Sequence, residues 1–245
     1  MMDPRSRVPS TIMASSKFLS HLHSLFPAAS AFAKNSPYAY IAGIAFAAQS
    51  RPQDVLAVYL HARSSNSGTG ITTMTKAFRE ALFKTGVLYG MPRMINALAE
   101  VVKAIPEEEG GGKDAEPWRS HTLSPETLND KGVKLFDETY GDKAQEVRSL
   151  LKGLHPDFDY FCMTLIYGPV YAYDGILGPA ETELAMIAAL TAIQSPLQVG
   201  WHVDGALRHG ASREDVEATK RIAEEIVARV SGELAEERKT FEAAV

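Results

Sequence analysis

Three residues near the C-terminal end of the chain combine groups that could move a proton: His202, Glu183 and Gln198. Gln198 and His202 are four positions apart and so share one face of a helix. Glu183 precedes His202 by nineteen residues. A reversal at Gln194 to Pro196 would fold two helices antiparallel and return Glu183 to the level of His202. An imidazole titrates near neutrality and works as a general acid or base. The carboxylate could orient it or take a proton itself, and Trp201 and Tyr167 could form an aromatic wall. A plainer role fits the same residues. A histidine in an alanine-rich helix can be a satisfied core group, and a glutamate near a helix N-terminus is favourable there on electrostatic grounds alone.

The other candidates are weaker. His61 and His209 sit near helix C-termini, where such side chains are favoured anyway. Asp204, two positions on from His202, points elsewhere. His202 and Glu183 are only two strong ligands, and no His-Glu-x-x-His pattern occurs, so no metal is expected. Cys162 stands between Phe161 and Met163, which suggests a small buried hydrophobe rather than a nucleophile.

The elements that must position these residues read as helices throughout, with no alternating strand pattern. Ser16 to Leu25 is a short helix and Tyr38 to Gln49 a compact apolar one. Ser50 could cap the next, with Pro52 early in it. Thr72 to Leu88 carries Met74, Phe78, Leu82 and Thr85 about a turn apart. Gly90 and Pro92 then force a corner into Arg93 to Ile105. Ser124-Pro125 opens the second half. Gly153 to Pro156 and Gly175 to Pro179 break it, and a last amphipathic helix runs to about Glu242, with a break possible at Ser231-Gly232. The organisation expected is a first segment over 1–35, a helical half over 36–105, a flexible Glu/Gly linker over 106–123 and a second half over 124–245. Arg79-Glu80-Ala81-Leu82 and Thr182-Glu183-Leu184-Ala185 suggest that the halves are related.

At 245 residues, with 45% hydrophobic and 22% charged residues, the chain can bury a large core. The formal net charge of -5 gives no basic field for nucleic acid. One cysteine excludes an intrachain disulfide and a Cys-x-x-Cys redox pair. No apolar run is long enough to span a membrane. Cytoplasmic location is expected. Arg5, Arg7, Lys17 and Lys34, with Asp3 as the only acid of the first 35 residues, allow a mitochondrial alternative. The terminal Ala-Ala-Val is not a Ser-Lys-Leu address.

The run Glu181 to Leu190, then Gln194-Ser-Pro-Leu-Gln-Val-Gly-Trp-His202 and Val203 to Glu217, resembles the carboxymuconolactone decarboxylase family. That family shares its fold with the alkylhydroperoxidase D proteins. Phe78 to Leu98 looks like the helix pair that follows the family's histidine helix. The resemblance implies an all-α bundle of two related helical halves, with no cofactor. It also implies a homo-oligomer (dimer, trimer or hexamer), for which helices 38–49 and 184–192 would be interface material. Peroxidase members carry a Cys-x-x-Cys pair ahead of the histidine, where this chain has Ser195 and Gln198, so thiol peroxidase chemistry is excluded. Decarboxylase-like members often carry a glutamate where Gln198 stands, and glutamine cannot act as a base. The family's upstream glutamate matches Glu183. The resemblance thus implies a cofactor-free lyase acting on a small carboxylated or lactone compound. His202 would shuttle the proton, Glu183 would assist, and Gln198 would hold a substrate oxygen. Ser195, Trp201, Tyr167 and Arg93 are the pocket candidates, with Arg79 and Arg208 as further cations a fold could bring near. The alternative is a non-catalytic oligomeric scaffold that keeps the fold.

Overall fold

A computed structural model of the protein describes residues 13–109, 111–114 and 116–243. Asp3, Arg5 and Arg7 of the candidate targeting segment lie outside them. The described residues form an all-helical fold without strands. The α-helices are α1 (Ser16–Leu25), α2 (Pro37–Ala48), α3 (Pro52–Ser64), α4 (Thr69–Tyr89), α5 (Met91–Lys103), α6 (Pro125–Tyr140) and α7 (Ala144–Leu154). One helical turn, α8 (Phe158–Tyr160), continues into a π-helix, Phe161–Tyr171. Then come α9 (Pro179–Ala192), α10 (Pro196–Arg208) and α11 (Arg213–Ala243). Proline opens α2, α3, α6, α9 and α10, where its missing N–H costs no hydrogen bond.

The centre is the contact between α2 and α9. Both are apolar on nearly every face. All residues of α2 are buried, and so are all but Pro179 and Thr191 of α9. A helix hydrophobic all round belongs in a core. These two helices therefore face each other inside one chain and are not surface available to a second copy, which corrects their expected role as oligomer contacts. Around them the packing is pseudo-symmetric. Helix α3 follows α2 as α10 follows α9, while α4 crosses to α9 and α11 crosses to α2. The related units are thus α2–α3–α4 and α9–α10–α11, which sets α4 opposite α11. The pairing of Glu80 with Glu183 suggested by the local sequence does not hold. Counted from the opening prolines, Pro52 and Pro196, fully buried Val58 stands where His202 stands. Helix α11 runs straight through Ser231 and Gly232, where no break occurs.

The equivalent corners after α2 and α9 place Ser50 and Gln194 in the left-handed region, at φ 60° and 59°. Ser50 therefore makes the turn and does not cap α3, whose cap position is Arg51. Buried helix ends need partners for their last carbonyls. The Gln49 amide donates to the Ala192 carbonyl at 2.6 Å, and Arg93 donates to the Ala48 carbonyl at 2.8 Å.

The core does not follow the linker boundary. One large cluster joins α1 to α5 with α9, α10 and α11. A smaller, aromatic cluster joins α6, α7, the π-helix and Met186 of α9. Helix α6 and the π-helix lie backbone against backbone at two glycines. A Cβ on Gly132 would stand 2.0 Å from the Met163 carbonyl oxygen, and one on Gly168 would stand 2.1 Å from that of Leu128. The stretch between the halves, expected to be loose, is fastened by ion pairs. Arg63 pairs with Glu109, Arg79 with Asp114 at 2.8 Å, and Arg119 with the fully buried Glu80. Arg119 also donates to the Pro169 and Val170 carbonyls and lies over the rings of Phe83 and Tyr173. One guanidinium thereby joins α4, the linker and the end of the π-helix.

Candidate active site

Glu183 is on the second turn of α9 and His202 on the second turn of α10. The turn at Gln194 brings the helices together antiparallel, and the Nδ1 of His202 lies 2.7 Å from Oε2 of Glu183. Their side chains keep 5% and 3% of their surface exposed. The approach depends on a missing side chain. A Cβ on Gly205, one turn after His202, would stand 2.8 Å from Glu183 Oε2 and 2.7 Å from Thr139 Cγ2. With Nδ1 directed at the carboxylate, the neutral ring carries its proton there and leaves Nε2 with a lone pair. No donor or acceptor among the described residues meets Nε2.

The pair sits at the seam between the two clusters, against aromatic residues of α6 and the π-helix. The Tyr140 ring is edge-on to the His202 ring at 5.9 Å and to Trp201 at 6.0 Å. It stacks on Phe136 at 4.1 Å. The Tyr167 hydroxyl donates to the Tyr140 hydroxyl at 3.4 Å, and the Tyr171 ring is edge-on to Tyr167 at 5.0 Å. Burial, with the Glu183 charge adding to it, pushes all three phenols above their ordinary range. They are hydrogen-bonding groups, not acids, near neutral pH.

Of the residues singled out from sequence, His202, Glu183, Trp201 and Tyr167 come together. Gln198 is half-buried one turn before His202, and no hydrogen bond among the described residues holds its amide. Ser195 does not join them. It lines a separate cavity of about 860 Å³ between α10 and α11, with Val199, Val203 and Lys220. Arg93 does not join them either, because it caps α2 beside a cavity lined by Ala48, Gln49 and Ala192. Asp204 turns outward to Lys143 at 3.6 Å. His209 bonds the Thr139 hydroxyl and His61 the Tyr38 hydroxyl. Cys162 is half-buried on the rim of the aromatic cluster, and burial pushes its thiol up to about 11. Among the described residues no group of three His, Cys, Asp or Glu side chains could hold a metal ion.

Sequence reasoning missed Tyr140, Tyr171, Phe136 and Gly205. The two pairs Phe136/Tyr140 and Tyr167/Tyr171 are each four apart, a spacing that signals one aromatic helix face.

Residues 156–232 match the carboxymuconolactone decarboxylase family, so the π-helix, the dyad and the start of α11 fall inside the match. The fold is consistent with the alkylhydroperoxidase D-like bundle of that family. Peroxisomal protein 2 of Schizosaccharomyces pombe is 31% identical over 187 residues, which cover 75% of this chain and 82% of that protein. The chain belongs to its family. Peroxisomal protein 2 of Saccharomyces cerevisiae is 31% identical over 170 residues, 61% of this chain. That match spans 60% of the budding yeast protein's length. No solved structure matches the chain significantly. No helix among the described residues is long and apolar enough to cross a membrane.

Proposed function

We propose that the protein is a cofactor-free acid–base enzyme of the carboxymuconolactone decarboxylase type. In this reading the unprotonated Nε2 of His202 takes up the substrate proton and later returns it, and Glu183 fixes the ring and stabilises the imidazolium that forms. Gln198 and Trp201 border the reacting compound, a small lactone or other carbonyl compound. The observation that carries the reading is the 2.7 Å contact between Nδ1 and the buried carboxylate, the arrangement in which a second group orients a general base. Hydroperoxide reduction has no support, since the single thiol is held protonated and no second cysteine exists.

One observation favours a non-catalytic scaffold instead: neither His202 nor Glu183 lines any of the five cavities described. Turnover of a panel of small lactones and β-keto acids by the wild type and by His202→Ala separates the two. The acid–base reading expects turnover that His202→Ala abolishes. Equal rates in both proteins would remove the acid–base reading. The two yeast relatives are named as peroxisomal proteins, and we propose that compartment for this chain, in place of cytoplasm or mitochondrion. Co-localisation of a fluorescent fusion with a peroxisomal marker would check it.

A further inference from the structure

The surroundings of the dyad restrict what it can act on, given the acid–base reading of His202 above. Among the described residues, six cations on the elements around the dyad are engaged by other groups. Arg93 caps α2, Arg79 pairs with Asp114, and Arg119 pairs with Glu80. Arg208 donates to the Thr139 carbonyl at 2.7 Å, and Lys143 pairs with Asp204. Lys84 donates to the Tyr173 carbonyl at 2.6 Å and the Thr182 hydroxyl at 2.8 Å. The cation–π contacts of the described residues fall on Trp118, Phe83, Tyr173 and Phe18, none of them in the aromatic wall of the site. A substrate carboxylate would stand beside that of Glu183 without a positive partner, in surroundings of low dielectric.

What the site offers instead is a neutral donor. Tyr167 gives its hydroxyl proton to the Tyr140 oxygen, so the proton of Tyr140 is left for a third group. Its ring meets that of His202 edge-on. A phenol donor next to a base suits charge that develops on a carbonyl oxygen during reaction.

We infer that the site takes an uncharged carbonyl compound, a ketone or lactone, and moves a proton at the carbon next to the carbonyl, with Tyr140 holding the oxyanion. Nε2 of His202 takes the α-proton. The C–H electron pair becomes the enolate double bond, and the carbonyl π pair moves to oxygen, where the Tyr140 hydroxyl donates to it. The imidazolium returns its proton to the same carbon or to a conjugated one. Base and phenol are restored, and no oxidant or reductant enters.

A matched pair of enolisable ketones tests this in heavy water: β-tetralone, uncharged, and phenylpyruvate, which carries a carboxylate. Deuterium incorporation is followed by NMR with the wild type, Tyr140→Phe and His202→Ala, all checked for unchanged thermal unfolding. The expected result is exchange into β-tetralone that needs His202 and slows roughly a hundredfold in Tyr140→Phe, with phenylpyruvate at background. If Tyr140→Phe does not fold, Tyr167→Phe takes its place, with a smaller slowing in the same direction. Exchange into phenylpyruvate as fast as into β-tetralone overturns the inference while leaving His202 as a base, and so does wild-type exchange in the phenylalanine variant. Equal exchange in wild type and His202→Ala with both ketones removes the acid–base reading itself.

Discussion

Two glycines in α10 make a paired experiment on the geometry of the dyad. Both are helical, and replacing glycine by alanine in a helix gains about 0.8–1 kcal/mol of propensity. At Gly200 an added Cβ meets nothing within 4 Å, so Gly200→Ala keeps that gain. At Gly205 the same Cβ stands 2.8 Å from Glu183 Oε2 and 2.7 Å from Thr139 Cγ2. Neither neighbour yields easily. The carboxylate is held by His202, and fully buried Thr139 is held by His209. Overpacking of this kind costs about 1–3 kcal/mol, so Gly205→Ala loses on balance up to about 2 kcal/mol. At roughly 2–4 °C per kcal/mol for a chain of this size, Gly200→Ala melts a few degrees above the wild type and Gly205→Ala several degrees below it. Propensity is common to both, so the difference measures the contact between α10 and the carboxylate. Calorimetry of the three proteins reads it. If Gly205→Ala is stabilised as much as Gly200→Ala, the close approach of α10 to Glu183 is wrong.

Arg119→Ala leaves the carboxylate of fully buried Glu80 without its partner, and denaturant unfolding is expected to show a loss of about 3–5 kcal/mol. Burial pushes the Lys84 ammonium down to about 8. Between pH 8 and the ordinary lysine value the unfolded chain therefore binds more protons than the folded one, and stability rises with pH across that window. Lys84→Met is expected to lack that rise, which parallel urea titrations at the two ends of the window would reveal. Cys162, pushed up to about 11, is expected to react with iodoacetamide near pH 8 at least tenfold more slowly than a free thiol of ordinary acidity. Mass spectrometry of timed samples follows that rate.

The sequence exposed the helices wherever apolar residues recurred on one face and a proline or serine marked an end, as in α1, α4 and α6. It exposed the dyad because a nineteen-residue interval with a turn inside it is a local hairpin, which needs no knowledge of distant packing. What it concealed depended on long-range contact. Nothing local distinguishes an apolar helix buried in its own chain from one that seals an oligomer, so α2 and α9 were open to either reading. Arg93 could have served a substrate, and only the buried end of α2 makes it a cap. The π-helix leaves no periodic signal of its own, and the contribution of α6 to the site crosses more than forty residues. The correspondence of α2–α3–α4 with α9–α10–α11 was hidden because the chemical marker, His202, is replaced by Val58 in the other unit.

The central claim is that Glu183 holds His202 as a base with Nε2 unprotonated. Long-range nitrogen–proton NMR of the imidazole, assigned through His202→Ala, observes this directly. The account predicts that the neutral ring of the wild type carries its proton on Nδ1 and that Glu183→Ala loses this preference. A wild-type ring with its proton on Nε2 would contradict it.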